Sequence, residues 1–258
     1  MKAAELIAEL KRRNHPKLFH ACTLGTFRSY CQLGAYRSRF SVEATGLPLT
    51  PQVSDDEDAR LGILDHLFLN IYDQHGDVHK GRSVTGLNKY GPILMVFDVD
   101  SLARYQGEIK GYKREITAGD YSPAVHDVVT LDDFRQNTFK DARSISSDPT
   151  PRRQPGTPGP NMCIHGKEEN GGIPFKPYLV EVIVDTFPVQ LRTLQEAVAT
   201  EVRYLLDAHS PHTKMTQRRC IDGCDCEYGY GTVLSREDVV RFIYETNKHV
   251  YAKRLRRP

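Results

Sequence analysis

Three short runs, His66 to Tyr72, Ile93 to Val99 and Tyr178 to Asp185, constrain this chain more than any other feature. Each is dense in Ile, Val, Leu, Phe or Tyr, the residues that suit a pleated and at least half-buried surface, so each reads as a core strand. They stand far apart, with helical patterns between them at irregular spacing and no fixed-period repeat. That arrangement favours an α+β domain over a doubly wound parallel sheet.

The N-terminal third fills in the pattern. Ala3, Leu6, Ile7 and Leu10 recur at helical spacing, and the helix they predict stops before His15-Pro16, because proline cannot continue it. Leu18 to Cys22 reads as a strand and Leu24 to Leu33 as a helix with Phe27, Tyr30 and Cys31 on one face, closed by Gly34. A second extended piece is expected from Tyr36 to Phe40. Ser54-Asp55-Asp56-Glu57 supplies the hydroxyl and carboxylates of a helix start, so a short helix carries Arg60. Thr130 and Ser235 each precede a carboxylate by three residues, predicting helices near 131–142 and 236–250. The polar, Pro- and Gly-rich stretch from Arg143 to Lys176 reads as one long loop. One domain is expected over 1–258, its core at about 17–195, with a helical, cysteine-containing extension at 196–258.

Composition excludes several classes. No stretch approaches the roughly 18 uninterrupted apolar residues of a membrane span, and the first residues lack the apolar core of a secretory signal, so the expected location is the cytoplasm. Net charge is only +2, with local basic clusters at Arg152-Arg153, Arg218-Arg219 and Lys253 to Arg257 that suit either solvent or phosphates. Cys220, Cys224 and Cys226, with Cys163-x-His165 or His209-x2-His212, contain enough ligand types for zinc, but the spacing is not a paired-knuckle arrangement. Reduced thiols are the expectation, and no metal site is assigned.

One constellation points to a family. The run Leu18-Phe19-His20-Ala21-Cys22-Thr23, followed by a helix and then Gly34-Ala35-Tyr36-Arg37-Ser38, resembles the opening of ADP-ribosyltransferases, including the poly-ADP-ribose polymerases and DarT-type enzymes. Arg60 ahead of the His66 to Tyr72 strand is similar to a family segment in which a functional arginine precedes an apolar-aromatic strand. Pro177 to Val184, with Phe187-Pro188 after it, looks like the strand that bears the catalytic glutamate, here Glu181. A lone carboxylate in an apolar strand is costly unless it is paired, solvated or serves a site.

The resemblance covers about residues 17–195 in element order, with few identities. It implies an ADP-ribosyltransferase-like split mixed sheet with flanking helices and NAD as substrate, bound in a cleft through His20, Thr23 and Tyr36. Glu181 and Arg60 are the implied catalytic residues. It also implies a nucleic-acid acceptor, and a toxin with a protein antitoxin or a role in phage defence. Two readings compete. One is a non-catalytic nucleic-acid or protein binding module on the same fold, whose mark is that His20 and Glu181 do not converge. The other is a metal-dependent nuclease using His75, Asp77, His79 and Asn88.

Overall fold

The computed structural model describes residues 1–49, 55–73, 92–112, 127–139, 163–169, 171–186 and 192–219. Helix α1 (Ala3–Arg12) is followed by strand β1 (Lys17–Cys22), helix α2 (Leu24–Leu33), strand β2 (Ala35–Tyr36) and helix α3 (Arg39–Glu43). Then come α4 (Asp55–Leu61), β3 (His66–Asn70), β4 (Ile93–Asp98), a 3₁₀ segment (Val99–Arg104), β5 (Tyr105–Tyr112), β6 (Asp127–Val128) and α5 (Leu131–Thr138). The described part closes with β7 (Cys163–Glu168), β8 (Ile173–Pro174), a short helical turn (Phe175–Tyr178), β9 (Leu179–Thr186), α6 (Arg192–His209) and β10 (Lys214–Arg219).

The strands form an eight-stranded sheet in the order β10-β9-β4-β1-β3-β7-β5-β6, and a separate pair, β2-β8. β9 and β10 run parallel, bridged by α6, while the other pairs are antiparallel. The expected α+β class with a mixed sheet and flanking helices is therefore the observed one. One sheet face carries the core. Leu18, Cys22, Met95, Phe97, Val182, Val184, Leu67, Leu69 and Ile164 join a single buried cluster with Phe27, Tyr30 and Cys31 of α2 and Val198, Val202 and Leu206 of α6. Leu6 and Leu10 of α1 and Phe134 of α5 extend the same cluster, and burying a side chain of this size contributes about 1.5–3 kcal/mol.

Local chemistry sets the helix ends. Thr23 caps α2 by accepting the Thr26 amide, and Gly34 ends it in the left-handed conformation at φ 63°. Nothing lies within 4 Å of a β-carbon built at Gly34. Gly34→Ala is accordingly expected to cost about 1 kcal/mol through backbone conformation alone, read as a lower denaturation midpoint with an unchanged slope. At the other end of the fold, Glu9 of α1 is buried among Arg12, Arg13 and Arg135, which ties α1 to α5. Burial works to raise its pKa, but the three guanidinium hydrogen bonds outweigh it and bring the carboxyl down to about 2.

Several expectations need correction. Arg39 and Phe40 open helix α3, capped by Ser38, where an extended piece was expected, because the Ser38 hydroxyl accepts the Ser41 amide. The stretch read as one loop from Arg143 to Lys176 contains β7, β8 and the start of the Phe175 turn. β7 lies inside the sheet between β3 and β5, so pairing on both edges makes a strand of a sequence, Cys-Ile-His-Gly-Lys-Glu, whose alternation is weak. Residues beyond 195 also enter the sheet, since β10 pairs with β9 along its whole length. The helix expected near 236–250 lies outside the described residues, as do Cys220, Cys224 and Cys226 and the cluster His75, Asp77, His79 and Asn88. Among the described residues no helix is long and apolar enough to cross a membrane, and no cluster of three or more His, Cys, Asp or Glu could hold a metal.

Candidate ligand site at the split in the sheet

The sheet is nearly divided between β1 and β3. β1 pairs with β4 at every residue from Lys17 to Cys22, yet meets β3 only at Phe19 and Asn70. Side chains replace the missing ladder. The Tyr36 hydroxyl donates to the Phe68 carbonyl oxygen and accepts the Phe68 amide, both at 3.0 Å. His20 Nδ1 donates to the same carbonyl at 3.0 Å. The His20 and Tyr36 rings lie 4.3 Å apart between centroids, and Tyr30 meets the Tyr36 ring edge-on at 5.2 Å. This pairing brings together two of the residues the sequence nominated, from the main sheet and from the small β2-β8 sheet.

The electrostatics define what His20 offers. Burial lowers its pKa to about 4, against a smaller upward pull from the Phe68 carbonyl, so the ring is neutral at neutral pH. A carbonyl has no proton to give, so Nδ1 carries the hydrogen and Nε2 presents a lone pair. Among the described residues nothing donates to that nitrogen, and the residue is only partly buried. The arrangement can accept a hydrogen bond from a ligand hydroxyl beside an aromatic floor of Tyr36 and Tyr30.

The remaining nominated residues lie elsewhere. Thr23 is buried and its hydroxyl is engaged with Thr26 as the α2 cap, so it shapes the site through the helix it starts. Glu181 is on the opposite face. Residues directly opposite each other on paired strands project from the same side. Glu181 pairs with Val96 and Val96 with Phe19, whereas His20 pairs with Met95 and Met95 with Val182. The two side chains therefore do not converge, which is the mark expected of the binding-module reading. Arg60 is exposed on α4, and the partners of Glu181 are Thr216, Lys17 and Lys214 in its place.

Glu181 ties β10 to β9 and β1. Thr216 donates to it at 2.6 Å, and the Lys17 and Lys214 ammonium groups stand at 3.5 and 3.4 Å. Partial burial works to raise its pKa, but Thr216 and the two lysines together hold it below the ordinary 4.5. A lowered carboxylate pKa contributes stability above the unfolded value, and that contribution is lost as pH falls through the folded value. Glu181→Gln is expected to cost about 1 kcal/mol or less at pH 7, since both lysines are half exposed or more, and the difference from wild type is expected to close in acid. Thermal unfolding from pH 7 to 3 checks this.

The chain is similar in fold to Thermus sp. 2.9 DarT. Against DarT in complex with NAD+, the TM-score is 0.47 at 10% identity, over 79% of this chain and 96% of that one. Against the complex with ADP-ribosylated ssDNA it is 0.44 at 10% identity, over 81% and 94%, and against the complex with carba-NAD+ it is 0.45 at 10% identity, over 80% and 95%. No family model matches the chain, and no curated protein matches it. These likenesses concern the fold, and no residue role follows from them.

The basic clusters are only partly in view. Arg152-Arg153 and Lys253 to Arg257 lie outside the described residues, while Arg218 is bound by Asp185 at 2.7 Å and by Asp73. Arg218 is thus part of a carboxylate-bound tie between β10, β9 and the segment after β3. Sequence inspection did not single out Phe68, because its contribution is made by the backbone and no side-chain signal marks it.

Proposed function

We propose that this chain is an NAD-dependent mono-ADP-ribosyltransferase that holds the nicotinamide-ribose half of NAD at the split between β1 and β3 and passes ADP-ribose to nucleic acid. The observation that carries the reading is the neutral His20, seated where side chains replace the ladder, with Nε2 open to a ribose hydroxyl. The order His20, α2, Gly34, Tyr36 is also the order by which the sequence resembles the transferases.

In the reaction, the bond from ribose C1′ to the nicotinamide nitrogen breaks with its electron pair on nicotinamide. An acceptor nucleophile then bonds to C1′ and gives up its proton. His20 orients the ribose, and the aromatic floor excludes water from that side. Glu181 is the carboxylate that the sequence nominates for stabilising positive charge or taking the proton, and because it stands on the sheet face opposite His20 the Glu181→Gln variant decides whether it takes part. An antitoxin partner and a role in phage defence belong to the same reading.

Glu181 facing away from His20 favours a second reading, a module that binds the nucleotide without turnover. Incubation of the protein with labelled NAD and separate pools of DNA, RNA and protein decides between them, with Glu181→Gln alongside. The transferase reading expects released nicotinamide and label in the nucleic-acid pool, lost in the variant. Transfer retained by the variant removes Glu181 from the chemistry, and NAD binding with no nicotinamide released establishes the module. Because His20 stays neutral down to about 4, NAD affinity is expected to be flat from pH 8 to 5.5. An inflection near 6.5 in calorimetric titrations runs against the buried, neutral ring.

A further inference from the structure

On the sheet face away from His20, two more imidazoles meet. His66 of β3 and His165 of β7 lie with Nδ1 atoms 2.8 Å apart, a contact that requires one proton between two lone pairs. The other nitrogen of His66 is 3.7 Å from Asp65 Oδ1, which favours a proton there and makes His66 Nδ1 the acceptor of the His165 Nδ1 hydrogen. His165 is 3% exposed, with its ring nearly parallel to those of Phe68 at 5.5 Å and Tyr112 at 4.3 Å, the three packing as a cluster. Phe68 thus has its ring against His165 on one face while its backbone holds His20 and Tyr36 at the split. Since β1 gives β3 one backbone pair only, the placement of Phe68 is set chiefly from the β7 side.

We propose that His66 and His165 are positioning residues for His20: the proton they share across β3 and β7 fixes Phe68, and Phe68 fixes the His20 ring. This rests on the reading of His20 as a ligand contact. The bridge survives with two or three protons on the four nitrogens and breaks only with the fourth, when two N–H groups face each other. Burial and the nearby lysines oppose that charging, while Asp65 beside His66 favours it. Lys110, paired with Asp127, and Lys167, paired with Asp65, flank it, and Tyr112, Cys163 and the α4 carboxylate Asp58 beside Cys163 complete the titratable neighbours. Burial lowers both imidazole pKa values, so the neutral bridge is expected to persist at neutral pH.

The test uses the full chain, isotope-labelled at histidine nitrogen, as wild type, His66→Phe and His66→Asn. Phenylalanine keeps a ring but removes the acceptor, whereas asparagine returns an oxygen near the Nδ1 position. The expected result is that His66→Phe moves or broadens the His20 Nδ1 and Nε2 resonances and weakens NAD about fivefold, the scale of one hydrogen bond. His66→Asn should restore both. Unchanged His20 resonances in folded His66→Phe overturn the proposal. Should that variant not fold, His66→Gln, whose polar group is displaced from the Nδ1 position, is read in the same way. Wild-type protein that fails to bind NAD, with His20 resonances still responding to position 66, removes the NAD reading and leaves the positioning role standing.

Discussion

Replacing His20 by asparagine is expected to weaken NAD binding about tenfold or more while leaving the protein folded. Asparagine can place an amide N–H near the Nδ1 position and keep the bond to the Phe68 carbonyl oxygen, but it has nothing at Nε2. The loss isolates one ligand hydrogen bond and the ring surface beside Tyr36, together on the order of 1.5–3 kcal/mol. Melting temperature is expected to fall by a few degrees, because one aromatic contact at 4.3 Å goes with the ring. Calorimetric titration with NAD, together with nicotinamide release, measures both quantities. An affinity equal to wild type moves the ligand away from the split.

The largest effect on stability is expected at Gly172. It adopts φ 65°, and a β-carbon there would lie 2.3 Å from the Tyr36 carbonyl oxygen and 2.6 Å from Arg37 Cδ. Tyr36 pairs with Ile173 in the small sheet, so the neighbour that must move is the backbone of a site residue. Gly172→Ala should therefore cost about 3 kcal/mol or more, from left-handed strain and overpacking together. It should also weaken NAD binding, because displaced Tyr36 leaves the Phe68 amide without its partner and the Phe68 carbonyl held by His20 alone. Denaturant titration gives the first quantity and calorimetry the second. A variant as stable as wild type shows that β2 and β8 part without cost.

The contrast between positions 34 and 172 explains how much was legible. Gly34 follows a run of apolar residues at helical spacing, and its role as a helix end needs nothing beyond neighbours in sequence. Gly172 sits in a stretch that reads as loop, and its constraint comes from Tyr36, far away along the chain. β7 was missed for the same reason. Gly166 interrupts its alternation because the Tyr105 ring occupies the space a side chain would need, at 2.5 Å from a built β-carbon. β10, Lys-Met-Thr-Gln-Arg-Arg, carries almost no apolar signal, and its pairing with β9 organises it.

The candidate site divides similarly. His20 and Tyr36 were nominated from sequence, and the structure joins them at the Phe68 carbonyl. Glu181 was nominated on the character of its strand, but sequence spacing does not fix which face a residue occupies relative to a residue on another strand. That depends on register, and β4, between the two, transmits it: Met95 joins His20 to Val182, and Val96 joins Phe19 to Glu181.

The sequence by itself determined the α+β class, α1, β1, α2 with its glycine C-cap, and the apolar strands β3, β4 and β9, because periodicity and capping are properties of neighbouring residues. Only the tertiary structure decided the polar strands β7 and β10, the split between β1 and β3, and the faces on which His20 and Glu181 stand. Each of these depends on hydrogen bonds and register between segments distant in the chain, and no local pattern encodes such partners.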